Sequence, residues 1–543
     1  MHGNMILFYM KSCESNLPKT VQELQALVVD LQKKYDEEYS LIEKKYSKSA
    51  IENKLLREEN RLLRLKLFGR KSEKYTLPDL FKQLSFFDNL EEDYTSDLGD
   101  KEEKVDVLPH KRRKGGRRPL PEELPREVVI HDIPESEKIC GCGCKMSRIG
   151  EETSEKLEME QPKVWVKRHI RYKYACKSCE GVDSNGPAVK IAPVPAQILP
   201  KSIAAASLLS HIITSKFVDS LPFYRQEKQF KRLGLDISRS SMSIWGIKCF
   251  ERCYQLNDTL LKDIRSGPLI QCDETTVQVL DETGRSPTSK SWMWVMRGGP
   301  PGRPVIVFRY FPSRGSDAAK ELLDGYEGYV QTDGYKAYGF LKNQKNVGHA
   351  GCWAHVRRKF FEVTKAGSGK KPGKADKMMR LIWKLYKTEK KAKEFELTPN
   401  DLYQLRQKES KPVVNEIDEF IKAYAARIPP QSLLGKAFGY TMSQWPRLIT
   451  FLENGNIPID NNLAENAIRP FVIGRKNWLF HKSPIGATAG AFFYSLVETA
   501  KANGLEPFKY LRYLFEKIPL VTETSKFKNL LPQYIDKKIL EKN

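Results

Sequence analysis

Three acidic residues in separate parts of the sequence are of the type that binds divalent metal ions. Asp273 lies within the apolar run "LIQCDETTVQVL", Asp333 ends the run "YVQTD", and Glu465 lies in "IDNNLAENAIRP". A charged carboxylate in a buried strand is costly unless it is paired or binds a metal. Mg²⁺ prefers oxygen ligands, and two such ions roughly 4 Å apart promote phosphoryl transfer. This chemistry requires the fold to bring the three residues together.

Each region also has a simpler interpretation. Asp333 precedes Gly334, and Asp-Gly is a common turn dipeptide. Asp460 or Asn461 can serve as the N-cap of a surface helix, on which Glu465 and Arg469 would form an i,i+4 ion pair. The choice between these interpretations depends on the surrounding elements.

The segments around the aspartates predict an α/β domain. Three strand-like runs ("PLIQCDETTVQVL", "SWMWVMRG" and "PVIVFRYF") are followed by a helix, a strand, a helix, the strand-like "NVGHAGCW" and another helix. This is the element order of a ribonuclease-H-like domain, in which the first and fourth strands are neighbours and parts of the sheet are parallel. Asp273 and Asp333 would then lie side by side, and Glu465 would join them from a later helix.

Cysteines predict a zinc site. "CGCGC" at 140–144 and "CKSC" at 176–179 offer five thiolates, whereas tetrahedral zinc needs four. The expected ligands are Cys140, Cys142, Cys176 and Cys179, with Cys140 preferred over Cys144. The sequence "VWVKRHIRYKYA", which lies between the two cysteine groups, predicts a strand-rich segment. The alternative is a set of unliganded cysteines.

The first long segment has heptad spacing. Val21, Leu24, Val28 and Leu31 follow 3–4–3 steps, and Asn60 is a polar residue at a later core position. This pattern favours a parallel coiled coil, and hence a homo-oligomer. The alternative is an amphipathic helix that packs on its own domain.

The overall charge favours a polyanionic partner. The 543-residue chain has 91 Lys and Arg against 68 Asp and Glu, a net charge of +23, and nucleic acid is the commonest such partner. The arm "HKRRKGGRRPLP" suits DNA phosphates or a minor groove, or is a solvated basic linker. Its candidate DNA contacts are Arg112, Arg113, Arg117 and Arg118.

The apolar runs of the sequence bear on the cellular location of the protein. No apolar run reaches the roughly 18 residues needed to span a membrane, and no credible signal peptide opens the sequence. We therefore expect a cytoplasmic protein with no membrane partner.

Together these segments predict a multidomain α+β protein. The expected division is an unassigned extension (1–19), a coiled-coil helix (20–75), a linker with a basic arm (76–125), a zinc-binding domain (126–195), a helical DNA-binding or connecting domain (196–262), the first part of the ribonuclease-H-like domain (263–364), a helical insertion (365–455), the last part of the ribonuclease-H-like domain (456–485) and a C-terminal helical region (486–543).

Several motifs resemble one family. "LRLKLFGRKSEK", "YACKSC", "CDETTV", "QTDGYKAY", "GCWAHVRRKFFE" and "IDNNLAENAIRPFVIGRKNWLF" occur in the order found in DDE transposases of the insertion sequence 66 family. The resemblance extends from about residue 50 to residue 520.

The resemblance implies a function and a set of residues. Asp273, Asp333 and Glu465 match the catalytic triad, which would hold two Mg²⁺ ions, with Mn²⁺ as a substitute. The cysteine segment matches the family's structural zinc domain, and residues 20–68 match its coiled-coil end. Candidate DNA contacts near the triad are His355, Arg357, Arg358, Arg469, Arg475 and Lys476.

The implied activity is DNA cleavage and strand transfer. Its partners would be double-stranded DNA, at the element ends and the target, and small accessory proteins of the same element, in the bacterial cytoplasm at the nucleoid. Two alternatives remain open: a ribonuclease-H-type nuclease without strand transfer, and a non-catalytic zinc-containing DNA-binding regulator.

Overall fold

The computed structural model describes residues 20–68, 163–175, 189–366 and 373–541. These residues fall into two units, one with 163–175 and 189–193 and the other with 20–68 and 194–541. The arm arginines 112, 113, 117 and 118 and the clustered cysteines 140, 142, 144, 176 and 179 lie outside the described residues.

The smaller unit contains a short antiparallel pair. β1 (Lys173–Ala175) pairs with β2 (Val189–Ile191), and Arg171 Nε donates to the Ala192 carbonyl at 2.7 Å. Within the run 164–175, for which the sequence predicts several strand residues, only the last three form a strand.

The larger unit begins with one long helix. α1 (Val21–Phe68) has 48 residues, and its heptad side chains are open to solvent, with Leu24 51% and Val28 48% exposed. Near its end Leu62 is buried and the helix contacts a later helix of the same unit. The predicted long helix is present.

Among the described residues, four helices lie between residue 194 and the sheet. They are α2 (Ala206–Phe217), α3 (Phe223–Arg232), α4 (Arg239–Arg252) and α5 (Tyr254–Ile264). Ser238 caps α4, since its hydroxyl accepts from Ser241 N–H at 3.1 Å. A small apolar core joins α2, α3 and α4 through Ile212, Phe230 and Met242.

A five-stranded mixed sheet forms the centre of this unit. Its strands are β3 (Leu269–Gln278), β4 (Lys290–Gly298), β5 (Val305–Phe311), β6 (Gly328–Gln331) and β7 (Val347–Ala350). The strand order is β5-β4-β3-β6-β7. β3 and β4, and β4 and β5, are antiparallel, whereas β3, β6 and β7 run parallel. α6 (Ser316–Leu323) joins β5 to β6, and a 3₁₀ segment (Lys336–Asn343) joins β6 to β7.

The edge strand β5 is covered by a helix. α13 (Pro484–Ala502) lies against β5, and its hydroxyls pair with the strand backbone. Phe308 N–H donates to Ser495 Oγ at 2.7 Å, and Ile306 N–H donates to Thr499 Oγ1 at 2.9 Å. These bonds satisfy backbone groups that an open sheet edge would expose.

A helical segment follows β7, as the sequence predicts. Its helices are α7 (Trp353–Ala366), α8 (Lys374–Glu394), α9 (Pro399–Leu405), which continues through a π turn (Arg406–Ser410), α10 (Lys411–Tyr424) and α11 (Leu433–Leu448). Met378, Leu381 and Leu385 of α8 are buried at helical spacing.

Arg406 is buried at the base of this helical segment. Its guanidinium donates to the Glu389 carboxylate at 2.7–2.8 Å and to the carbonyls of Phe451, Asn454 and Ile457 at 2.8–3.1 Å. A fully paired guanidinium of this kind is the form in which a buried arginine is tolerated. Arg406 therefore attaches α9 to the segment that returns to the sheet.

The remaining helices are α12 (Asn462–Trp478), α14 (Pro507–Lys517) and α15 (Lys537–Glu541). The expected mixed α+β class is confirmed, with a majority of helical residues and a small mixed sheet. Within the described ranges, no helix has the length and apolar character required to cross a membrane.

Candidate active site

The two aspartates lie at the same end of neighbouring parallel strands. Gln271 of β3 is opposite Gln331 of β6 in the register. Asp273 and Asp333 each follow these glutamines by two residues. Because the strands run in the same direction, both aspartates lie at one edge of the sheet.

A pair of buried glutamines ties this edge to the start of α12. Gln271 Nε2 donates to Gln331 Oε1 at 2.7 Å and to the Asp460 carbonyl at 3.1 Å. Gln331 Nε2 donates to the carbonyls of Gly351 and Pro458 at 3.0 and 2.7 Å. These bonds satisfy buried amides, and they hold β3, β6 and the segment before α12 in one arrangement.

Asn461 fastens α12 directly to β3. It occupies the N-cap position, as expected, but its side chain makes no capping bond. Instead Nδ2 donates to the Cys272 carbonyl at 2.9 Å, next to Asp273, and its backbone N–H donates to Cys352 Sγ at 3.2 Å. The amide positions the helix relative to the strand that carries the first aspartate.

Asp460 supplies the capping bond. Its carboxylate accepts from Asn462 N–H at 3.2 Å and from the Tyr386 hydroxyl at 3.0 Å. The helix start is thus held by two adjacent polar residues with different partners.

Glu465 lies in the first turn of α12 and faces α7. Its Oε1 is 3.7 Å from His355 Nδ1, and its Oε2 is 3.6 Å from Arg358 Nη2. Oε1 and Nδ1 are buried and have no hydrogen-bond partner among the described residues. The side chain is therefore directed into the molecule and is not part of an independent surface helix.

The charges of Asp333 and Glu465 both act on the carboxyl group of Asp273. Burial, followed by the charge of Glu274 and the smaller effects of Glu465 and Asp333, raises the pKa of Asp273 to about 7, against a hydrogen bond from Glu274 N–H that lowers it. Like charges in a poorly solvated place oppose ionisation unless a cation is present. This set of oxygens is suited to a hard divalent ion.

Glu274 is a buried acid beside the site that the sequence did not single out. Its Oε1 accepts from Arg314 Nη2 at 2.7 Å, and its Oε2 accepts from the Tyr338 hydroxyl at 3.0 Å. The Arg314 guanidinium lies 3.7 Å from the centre of the Tyr335 ring, and Tyr335 N–H donates to Asp333 Oδ1 at 2.9 Å. Glu274 thus supports the loop of the second aspartate.

The helical segment also supports this loop. Tyr440 of α11 donates its hydroxyl to the Asp333 carbonyl at 2.9 Å. Gly334 has a φ of +88°, and an added Cβ would lie 2.7 Å from Gln444 Oε1. The turn after Asp333 therefore requires glycine and depends on α11.

The expected DNA contacts occupy different environments. His355 and Arg358 lie beside Glu465, and Arg469 and Lys476 are exposed on α12. Arg357 is half-buried on α7.

Arg475 is partly buried and forms hydrogen bonds within the protein. Its Nη1 donates to Thr275 Oγ1 at 3.1 Å and to Thr276 Oγ1 at 3.0 Å, both in β3. It is a second attachment between α12 and β3.

Comparison with known proteins identifies the family. The profile described as "Transposase IS66 family" matches residues 201–489, which include the sheet, the helical segment and α12. The chain belongs to the IS66 transposase family. The resemblance found in the sequence is thereby confirmed.

Three more IS66-related profiles match other parts of the chain. They are the "zinc-finger binding domain of transposase IS66" over residues 137–180, "Transposase C of IS166 homeodomain" over 55–129 and the "IS66 C-terminal element" over 495–533. The assignments transposase, DNA-binding, zinc, coiled coil and insertion sequence follow from these matches.

Relatives in Sinorhizobium fredii (strain NBRC 101917 / NGR234) are similar over most of their length. The uncharacterized protein y4jD is 33% identical over 427 residues, which cover 76% of this chain and 81% of the relative. The uncharacterized protein y4qI is 32% identical over 420 residues, covering 74% and 75%. The uncharacterized protein y4hP is 26% identical over 423 residues, 75% of each.

Proposed function

We propose that this IS66-family chain is a DDE transposase that binds the ends of an insertion sequence, cleaves DNA and joins it to a target. The observation that carries the proposal is the convergence of Asp273, Asp333 and Glu465. Asp273 and Asp333 lie at one edge of neighbouring parallel strands, and the charges of Asp333 and Glu465 both raise the pKa of Asp273. Membership of a transposase family supports DNA as the substrate.

The proposal includes a ribonuclease-H-like catalytic domain. The order β5-β4-β3-β6-β7, with three antiparallel and two further parallel strands, supports this fold. The remaining domain boundaries are proposed as expected from the sequence.

Asp273, Asp333 and Glu465 would hold two Mg²⁺ ions, for which Mn²⁺ can substitute. The fit is supported by their carboxylate oxygens and by Oε1 of Glu465, which has no hydrogen-bond partner among the residues that the structure describes. When bound, the ions lower the pKa of the attacking water or 3′-hydroxyl and stabilise the leaving oxygen. Asn461 and Arg475 hold α12 on β3, so that Glu465 stays beside the aspartates.

The basic residues near the triad would contact DNA phosphates. Arg358, which is half exposed beside Glu465, and the exposed Arg469 and Lys476 are suited to this role. His355, Arg357 and the partly buried Arg475 remain proposed contacts, and the arm arginines 112, 113, 117 and 118 would extend the interface. The net charge of +23 supports binding to DNA.

Zinc would have a structural role in the segment 137–180. The match to the family's zinc domain supports Cys140, Cys142, Cys176 and Cys179 as tetrahedral ligands. The exposed heptad residues of α1 support association of copies of this chain through a coiled coil. The proposed partners also include small accessory proteins of the same element. The proposed place of action is the bacterial nucleoid.

Replacement of one carboxylate tests the catalytic assignment. With DNA carrying element ends and Mg²⁺, we expect Asp273→Asn to lose cleavage by about a thousandfold or more, because the ions supply several kcal/mol of charge stabilisation. DNA binding should persist. Asp281→Asn, in the exposed turn after β3, is the matched control and should cleave normally.

The outcome for the wild-type protein separates the alternatives. Joined products formed from 3′-hydroxyl ends support the transposase. Hydrolysis without joined product indicates a nuclease, and DNA binding without cleavage in Mg²⁺ or Mn²⁺ indicates a regulator.

A further inference from the structure

Beside the three carboxylates lies a second group of possible metal ligands with different chemistry. Cys352, His355 and Glu465 each offer one ligand atom, and these atoms lie within 4.8 Å of one another. Cys352 immediately precedes α7, and His355 and Glu465 lie in the first turns of α7 and α12. Thiolate, imidazole and carboxylate together are typical of zinc sites, whereas Mg²⁺ favours oxygen alone.

The distance between two of these ligands is close to that in a metal site. His355 Nδ1 and Glu465 Oε1 are 3.7 Å apart. Two ligands about 2.0–2.1 Å from a tetrahedral zinc ion are separated by roughly 3.4 Å, so only a small adjustment is needed. Both atoms are buried and have no hydrogen-bond partner in the described part of the chain, and a cation between them would satisfy both.

The third ligand atom, the sulfur of Cys352, is held in place by the start of α12. Burial raises the pKa of the Cys352 thiol, and Asn461 N–H, which donates to Sγ at 3.2 Å, partly opposes this shift and fixes the position of the sulfur. The side chains of His355 and Glu465 are 22% and 25% exposed, so these two ligands lie near the protein surface. Water would complete the fourth position, as in open zinc sites.

We propose that Cys352, His355 and Glu465 bind Zn²⁺, or another divalent cation that accepts sulfur and nitrogen, and that this ion withdraws Glu465 from the Mg²⁺ site. Glu465 is the shared ligand, and zinc that holds its Oε1 beside His355 and Cys352 competes with the three-carboxylate site for this carboxylate. Zinc binding stands on its own geometry, and the inhibition of cleavage rests on the proposed function.

Metal binding is tested without reference to activity. The full chain is first loaded with one equivalent of Zn²⁺ for its cysteine-rich segment and then titrated with Co²⁺, whose bonds to thiolate absorb in the near ultraviolet. We expect the wild type to show a further thiolate band that Cys352→Ser lacks. Cys249→Ser, which alters another buried free cysteine, is the control and should keep the band. Equal spectra for the wild type and Cys352→Ser would overturn the proposal.

A second variant guards against misfolding of Cys352→Ser. Glu465→Gln keeps the size of the side chain and removes its charge, and it should weaken Co²⁺ binding at least about tenfold, since even changes outside the ligand set have that effect. Unchanged Co²⁺ affinity in this variant would contradict the assignment.

The inhibitory role has its own measurement. At saturating Mg²⁺, added Zn²⁺ should stop DNA cleavage by the wild type, and Cys352→Ser should need at least about tenfold more Zn²⁺ for the same inhibition. Equal sensitivity of the two proteins would refute the inhibition. If the Co²⁺ band is present and cleavage never occurs with Mg²⁺, the zinc site stands and the proposed function fails.

Discussion

Asn461 is a completely buried amide with two partners from other elements. Its side chain reaches the carbonyl of Cys272, and its backbone reaches the sulfur of Cys352. Glu465 follows one turn later, so the position of its carboxylate depends on this attachment. The catalytic proposal therefore assigns Asn461 a positioning role and no contact with substrate.

Removing this amide should impair metal binding more than DNA binding. In Asn461→Ala the buried Cys272 carbonyl loses its donor, which costs about 1–3 kcal/mol of unfolding free energy. We expect weaker Mg²⁺ activation of cleavage with nearly unchanged DNA affinity. Denaturant unfolding and Mg²⁺ titration measure the two effects. Asn466→Ala, exposed on the same helix, is the control, and an equal effect there would rule out the positioning role.

At the scale of elements, His481 joins the end of α12 to the end of β3. Its N–H donates to the Gln278 carbonyl at 3.0 Å, and its carbonyl accepts from Leu280 N–H at 3.0 Å. Its ring is buried 4.5 Å from the centre of the Trp478 ring. Burial, together with the smaller effect of the positive charge of Lys216, lowers the pKa of His481 to about 3.

The buried His481 should make the stability of the folded protein sensitive to acid. The unfolded chain binds a proton at His481 near pH 6.5, and the folded chain does so only near pH 3, so unfolding free energy falls as pH decreases between these values. His481→Leu should reduce that slope in denaturant unfolding measured from pH 7 to pH 4. His169→Leu, an exposed histidine, should keep the slope. An unchanged slope in His481→Leu would contradict this account.

Runs of strand-forming residues separated by turn residues predict the strands, and apolar residues at helical spacing predict the helical segment, because these signals are local. The partners that assemble the site are not local. Glu274 pairs with Arg314, and Gln271 pairs with Gln331. No local sequence pattern in the intervening turns and helices predicts either contact. Asn461 looked like a helix cap because that is the usual role of a buried amide before a helix, and the strand it reaches is far away in sequence.

At the scale of the whole molecule, the long helix α1 presents a series of exposed apolar side chains within the described part of the chain. Its heptad residues are exposed, although a helix of 48 residues usually buries one apolar stripe. Association through this helix would bring two catalytic units to one DNA molecule, which suits an enzyme acting on two element ends.

A neighbouring pair of valines tests this association. Val28 lies at a heptad position and Val29 does not, and they are 48% and 64% exposed. Val28→Glu should weaken self-association at least about tenfold, because it brings a charge into the seam. Val29→Glu should leave it unchanged. Sedimentation at several concentrations distinguishes the two, and equal behaviour of the variants would exclude the heptad seam.

The helical segment leaves and rejoins the sheet at nearly one point. Trp353 N–H, at its first helix, donates to the carbonyl of Ile459, just before α12, at 3.1 Å. Arg406 and Tyr440 attach the base of this side branch to the segment before α12 and to the loop after Asp333. The acidic residues therefore depend on the base of the branch, and changes of length in its surface loops, away from these bonds, should leave their spacing unchanged.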